Sequence, residues 1–317
     1  MPRAEVISRF FLALASSVFL FISGVSLPPL GVIILPFVAQ PVLVFGLKYG
    51  VGAGLGVICV ALLLLVIFAG EELALIYAVF AVLVGLLFGL LGRIRAIEQL
   101  VLGVAIVLST LTASLSLYFY GSWSTMFRDL HAALTQQLAS AVQVQEKMGL
   151  SQESLEVIKS QTPHIVETML QLLPALLFLS FAFIALINIL YLGRRFPERR
   201  AQWFSLRYLR EWKGPEPLVW ALIACGFALF LPGLAAVRMI ALNLLVIIGA
   251  CYFAQGLAVI AFFFHKNNVP RFLRGLTYVL ILFQQIFTLL VVGLGLFDLW
   301  GDFRRLRKNN LTPSQAS

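Results

Sequence analysis

The amino-acid sequence predicts an all-α protein, a polytopic transmembrane bundle of about nine helices. The charged residues fall almost entirely between long apolar blocks, each near the ~20 residues that a helix needs to cross ~30 Å of hydrocarbon. The blocks lack the two-residue alternation of barrel strands, so helices must satisfy the backbone within lipid. The uncharged blocks are Phe10–Leu47, Tyr49–Gly70, Leu73–Gly92, Gln99–Phe127, Thr168–Gly193, Pro217–Val237, Met239–Phe264 and Gly275–Phe297.

Composition supports this class and excludes others. Hydrophobic residues make up 61% of the chain and charged residues 12%, with a mean hydropathy of +0.98, whereas soluble domains average about 25% charged residues. The formal net charge is +9, but the basic residues lie at block edges and form no separate basic domain, which excludes nucleic acid as a partner. The cysteines show no CxxC spacing and the histidines are scattered, so we expect no metal and no cofactor.

The first region, residues 1–120, is expected to contain five spans. Pro28 and Pro29 interrupt the first block, since consecutive prolines remove backbone donors and force a turn. Charged residues separate the later spans. The five spans are predicted at about 9–26, 30–47, 51–70, 73–92 and 99–120.

Residues 121–162 are predicted to form an extracytoplasmic amphipathic helical loop. An apolar residue recurs every four positions from Leu130 to Val142, which places these side chains on one helix face. Gly149 and Ser151 indicate a helix stop and a new start, and therefore a hairpin. Thr162 as N-cap and Pro163 in the first helical position then predict the beginning of span 6, over 163–193.

Residues 194–216 are expected to lie on the cytoplasmic side as an interfacial helix. One side of this helix is apolar and the opposite side is charged, a pattern typical of helices at the headgroup level. A protein partner could bind the same apolar side. The predicted membrane-interface residues are Trp203, Arg207, Arg210 and Trp212.

The last apolar region, 217–298, is predicted to hold spans 7 to 9, followed by a basic polar tail over 299–317. Short loops rich in Lys and Arg place the N-terminus in the cytoplasm. Nine crossings, however, put the basic tail outside. Eight spans are the alternative, with Gln284–Gln285 as a natural break in the last block.

No arrangement of catalytic residues occurs at membrane depth, so we expect no enzyme activity. No charged side chain need lie near the bilayer centre, which argues against a proton or sodium relay. Amide side chains within the spans could line a substrate-binding pocket or bond adjacent helices together. The candidates are Asn188, Asn243, Gln255, Gln284 and Gln285.

Glycines spaced four residues apart predict close helix packing, either within the bundle or against another membrane subunit. These residues are Gly46, Gly50, Gly52, Gly54, Gly56, Gly85 and Gly89.

The second half of the chain resembles the YybS-like family of bacterial membrane proteins, a family of unknown function. The matching segments are Leu173–Pro174–Ala175 with Asn188, Leu209–Lys213 with Pro215, Tyr252–Leu257, Gly293–Gly295 and Asp298–Arg304. More remotely, Pro28–Gly31, Pro36, Pro41 and the glycines from Gly46 to Gly56 are similar to the substrate-capture subunits of energy-coupling-factor vitamin importers and to the rod-shape protein MreD. These likenesses imply a multi-pass protein of the bacterial cytoplasmic (inner) membrane.

Two hypotheses of function follow. The first is a small-molecule-binding or transport subunit, with anionic lipid headgroups at its cytoplasmic face and a partner that is a membrane protein or an ATPase. It predicts a pocket that opens to the outside beneath the 121–167 loop. The alternative is a non-transporting scaffold for envelope assembly or morphogenesis, which needs docking faces and no cavity.

Overall fold

The chain is almost entirely helical, as its apolar blocks predict. The computed structural model describes residues 3–94, 96–147, 152–203 and 206–304, and no β-strand occurs within those ranges. The chain divides into two compact units, residues 1–204 (unit 1) and 205–317 (unit 2). The α-helices described are α1 (Arg3–Ser26), α2 (Pro28–Ile34), α3 (Gln40–Tyr49), α4 (Val51–Ala69), α5 (Glu71–Leu90), α6 (Ile97–Tyr120), α7 (Trp123–Lys147), α8 (Gln152–Arg195), α9 (Pro197–Trp203), α10 (Leu206–Glu211), α11 (Leu218–Ala228), α12 (Ala235–Lys266), α13 (Arg271–Phe283) and α14 (Gln285–Gly301).

Fewer helices can cross a membrane than the nine predicted. Within the described residues seven segments are long and apolar enough to cross, and counting the bent pair α13–α14 as one span gives eight. The seven are α1, the segment Leu30–Tyr49 that ends with α3, α4, α5, α6, the Ile158–Arg195 part of α8, and α12. The shortfall includes predicted span 7, because α11 has only 11 residues and is therefore about 17 Å long. Pro232 cannot continue a helix, and Gly233 adopts a φ of +79° in the turn that follows α11.

In unit 1, α1 runs antiparallel to the segment formed by α2 and α3. Ser17 donates a hydrogen bond to the carbonyl of Val38 (2.8 Å), and the rings of Phe10 and Phe45 meet edge to face at 5.9 Å. The residue numbers of the contacting positions therefore decrease along α1 as they increase along α3, which is the antiparallel pattern. A short 3₁₀ turn, Leu35–Phe37, joins α2 to α3 and places Pro36 in the core.

Two of the seven predicted packing glycines make close helix contacts. A Cβ at Gly54 would approach the Cα of Gly46 to 2.9 Å, and one at either position would meet the ring of Phe88. Gly50 instead forms the turn before α4, with a φ of +116°. Gly56 has only an ordinary contact, and Gly52, Gly85 and Gly89 have open space where a Cβ would be.

The predicted helical loop is present, but it continues directly into span 6. The stripe from Leu130 to Val142 is partly or fully buried where α7 packs against α8, as expected from its spacing. The positions of the predicted stop and restart, Gly149 and Ser151, lie outside the described residues. The prediction that Thr162 begins a helix is wrong: its hydroxyl donates to the carbonyl of Ile158 inside α8, which runs unbroken through Pro163.

Unit 2 is built around two antiparallel helices in very close contact, α12 and α14. A Cβ at Gly256 would collide with the carbonyl of Val291, and one at Gly295 with the carbonyl of Tyr252. The backbones touch because neither glycine has a side chain. Tyr252 also belongs to a small core against which one face of α11 packs.

The last apolar block is broken where the amide pair predicted a break. The axes of α13 and α14 differ in direction by 104°, and Gln284 between them is in an extended conformation. Gln284 provides partners for two backbone donors at the start of α14, since its carbonyl accepts hydrogen bonds from the amides of Phe287 and Thr288.

Candidate functional site

The five amide residues predicted to line a pocket have different environments within the two units. Asn188 lies in unit 1, fully buried, and its Nδ2 donates to the carbonyls of Pro36 (2.9 Å) and Ile184 (2.8 Å). Asn243 is buried in α12 of unit 2 and donates to the carbonyl of Met239.

Gln284 and Gln285 are exposed at the break between α13 and α14. Gln255 has a different environment, because it contacts an ion pair. The carboxylate of Asp298 accepts a hydrogen bond from Gln255 Nε2 (3.2 Å) and pairs with Arg304 Nη2 at 2.7 Å. Both charged side chains are fully buried.

Arg304 also ties the segment before α11 to the end of α14. Its Nη1 donates to the carbonyls of Arg210 (2.7 Å) and Trp212 (3.0 Å), and Lys213 Nζ bonds to Asp302 at 2.7 Å. The amide of Gly214 donates to Gln255 Oε1 at 3.0 Å. We call this group the ionic cluster: Lys213, Gly214, Gln255, Asp298, Asp302 and Arg304.

The position of the ionic cluster corrects the expectation about buried charges. Gln255 lies about three helical turns from the nearer end of α12, a helix apolar enough to span a membrane. Asp298 and Arg304 therefore lie level with the inner part of a candidate span, although each has an opposite charge in contact. The sequence predicts a basic polar tail over 299–317, yet Arg304 within that range is buried.

The predicted interface residues are divided between the units. Trp203 is buried in unit 1, where its ring meets that of Phe196 at 6.4 Å and lies against Gly92. Arg210 and Trp212 are half-buried in unit 2. The side chain of Arg207 lies outside the described residues.

A groove on unit 1 has the chemistry of a binding site. It has a volume of about 340 Å³ and lies between α1, α3 and the last turns of α8. It is found at the other end of α8 from the helical loop, not beneath the loop as the transport hypothesis required. Its lining residues, which we call the basic groove, are Arg9, Leu12, Ala13, Ser16, Leu20, Phe37, Gln40, Pro41, Val44, Phe45, Lys48, Tyr49, Tyr191 and Arg195.

One end of the basic groove carries three cations. Arg9 is the first of the lining residues on α1, and the antiparallel α3 brings Lys48 to the same end of the groove. Arg195 joins them because α8 runs alongside residues 36–47. Arg9, Lys48 and Arg195 are all exposed, and none forms an ion pair with a carboxylate in the described part of the chain.

Two buried polar atoms in the basic groove lack a hydrogen-bond partner. Gln40 is only 7% exposed, and its Nε2 has no acceptor. The hydroxyl of Tyr49 is also buried without a partner. Each unsatisfied buried group costs about 1–3 kcal/mol, so a ligand that supplied acceptor oxygens here would recover that free energy.

Sequence reasoning did not select these residues as a site. Gln40 is a single amide inside an apolar block, and basic residues at block edges indicate only orientation. The available signal was the Gln40–Pro41 pair in a block already interrupted by Pro28 and Pro36, since irregular backbone at membrane depth is tolerated mainly where it faces protein or a cavity.

A larger groove, of about 530 Å³, lies on unit 2 between α11 and α14. Its lining is apolar except for Glu216, and none of its residues has a buried polar atom without a partner. It therefore offers a ligand less than the basic groove does.

One comparison with known proteins gives a match. The family model described as "Predicted membrane protein (DUF2232)" matches residues 15–299, a range that includes the basic groove except for Arg9, Leu12 and Ala13, and most of the ionic cluster. No curated protein and no solved structure matches the chain. This nearly complete match shows that the chain belongs to the DUF2232 family of multi-pass membrane proteins.

Proposed function

We propose that this protein is a membrane subunit that binds a small anionic molecule in the basic groove. One observation carries the proposal: the unpartnered Nε2 of Gln40 lines a groove whose rim holds three cations without carboxylate partners. A carboxylate or phosphate would pair with the cations and supply the acceptor oxygens that Gln40 lacks.

The position of the basic groove agrees with a cytoplasmic site. Lys and Arg in short loops accumulate on the cytoplasmic side, so the end of unit 1 that carries Arg9, Lys48 and Arg195 would face the inside. This orientation, with the N-terminus in the cytoplasm of a bacterial inner membrane, is part of the proposal.

The likeness of the first six spans to importer substrate-capture subunits supports a binding role rather than a catalytic one. It also makes an ATPase or a second membrane protein the expected partner. A subunit that transports a bound anion would require such a partner, because the sequence contains no nucleotide-binding loop of its own.

Native mass spectrometry of the protein extracted in a neutral detergent tests the proposal. We expect an anionic species to co-purify with the wild type, and to be lost when Arg9, Lys48 and Arg195 are all replaced by Gln. The matched control is Arg238→Gln, which removes an exposed cation from unit 2 and should leave the bound species in place.

A wild type that carries no bound species, or a triple variant that retains it as fully as the control, would contradict the proposal. The scaffold hypothesis would then be preferred, because it requires no ligand.

A further inference from the structure

The basic groove has a polar end and an apolar end. Along α1 its lining residues fall on a single helix face, starting at Arg9 and ending at Leu20. These two positions are about 16 Å apart along the helix axis. The groove is therefore cationic at its rim and lipophilic at its far end.

The wall formed by α3 also changes from apolar to cationic toward the rim, but with increasing residue number, because α3 is antiparallel to α1. On the α3 side the lining begins with Phe37 and ends with Lys48 and Tyr49 at the rim. Gln40 lies about two helical turns from Lys48, so its unpartnered Nε2 is placed deeper than the cations. A ligand that satisfies both features needs an anionic head and an acceptor oxygen farther along.

The groove is open along its side. Leu12 is 56% exposed and Phe37 is 36% exposed, and both belong to the lining. Since α1 is apolar enough to span a membrane, these exposed lining residues give the groove access from lipid rather than only from water. Its volume of about 340 Å³ is near the lower limit of ~300 Å³ for small-molecule sites, which suits one chain rather than two.

We propose that the occupant of the basic groove is a single-chain anionic lipid, whose phosphate lies among Arg9, Lys48 and Arg195 while its chain runs toward Leu20 and Phe37. The Nε2 of Gln40 donates to an oxygen between head and chain, such as an ester carbonyl. This inference rests on the proposed function and identifies the class of ligand at the same site.

Three probes separate the parts of the ligand. These are 1-lauroyl lysophosphatidic acid, with head and chain; 1-lauroyl glycerol, which lacks the phosphate; and inorganic phosphate, which lacks the chain. Each is added to the full-length protein in dodecyl maltoside, and binding is measured as the rise in the unfolding midpoint with probe concentration.

We expect lysophosphatidic acid to raise the unfolding midpoint of the wild type and of Arg238→Gln at concentrations at least about tenfold below those at which either other probe acts. In Lys48→Gln the concentration required should increase about tenfold. Because Lys48 is exposed and forms no ion pair, this variant should fold normally.

Equal stabilisation by inorganic phosphate and lysophosphatidic acid would overturn the lipid inference and leave the proposed anion site intact. Equal stabilisation by lauroyl glycerol would show that the site selects a chain and not a charge, which overturns both proposals. The same holds if no probe acts, or if Lys48→Gln responds as the wild type does.

Discussion

The ionic cluster of unit 2 and the basic groove of unit 1 both place polar groups inside an apolar bundle, but they treat charge in opposite ways. In the cluster, Asp298 and Arg304 neutralise each other and Lys213 contacts Asp302, although Asp298 Oδ1 and Arg304 Nε have no hydrogen-bond partner. In the groove, the cations have no carboxylate partners and two donors have no acceptors. The comparison indicates that the buried, paired charges of unit 2 hold its fold together, whereas the exposed cations of unit 1 remain available to a ligand.

The largest expected effect comes from breaking the ion pair. Asp298→Asn leaves the buried guanidinium of Arg304 without a counter-charge, and losing one partner of a buried pair costs about 3–5 kcal/mol. We expect a large fall in the midpoint of thermal unfolding. The measurement is the amount of folded protein that remains after heating, determined by size-exclusion chromatography in detergent. The double variant Asp298→Asn/Arg304→Gln should recover part of the loss, because no uncompensated charge remains. A single variant as stable as the wild type would show that the cluster does not hold unit 2 together.

A smaller effect is expected where α12 and α14 touch. In Gly256→Ala the new methyl group collides with the carbonyl of Val291, and overpacking of this kind costs about 1–3 kcal/mol. The matched control is Gly293→Ala in α14, two residues after Val291, where a Cβ meets nothing within 4 Å. The control should be neutral or slightly stabilising, since Ala favours a helix over Gly. Equal unfolding midpoints for the two variants would contradict the close contact.

The smallest expected effect is an increase in stability, and it tests the basic groove. Gln40→Leu removes a buried donor that has no partner, so the ligand-free protein should gain about 1 kcal/mol of stability. The stabilisation by lysophosphatidic acid should decrease in the same variant. A loss of stability in the ligand-free protein would mean that the amide already has a partner, and that the two regions differ less than we infer.

The general architecture could be predicted from the sequence because it depends on local patterns. Uncharged blocks predicted the helices, and the amide pair at Gln284 predicted the break in the last block, since both signals lie within the segment that they describe. The four-residue repeat from Leu130 to Val142 likewise predicted the face of α7 that packs on α8.

Long-range contacts account for what the sequence did not predict. Asp298 stands at the edge of an apolar block, and its role depends on Arg304 and on Gln255, which is 43 positions away. Thr162–Pro163 has the pattern of a helix start, yet α8 continues through it where α7 packs alongside. Three segments, around Lys213, Gln255 and Asp298, meet in the ionic cluster, although nothing in their separate patterns indicates it.

The position of Arg304 has a consequence for truncated forms of the protein. Arg304 lies three residues after the end of α14, so a chain cut just before it would keep every helix that the structure describes. Such a chain would leave the buried carboxylate of Asp298 without its counter-charge, and it would lose the hydrogen bonds from Arg304 to the carbonyls of Arg210 and Trp212.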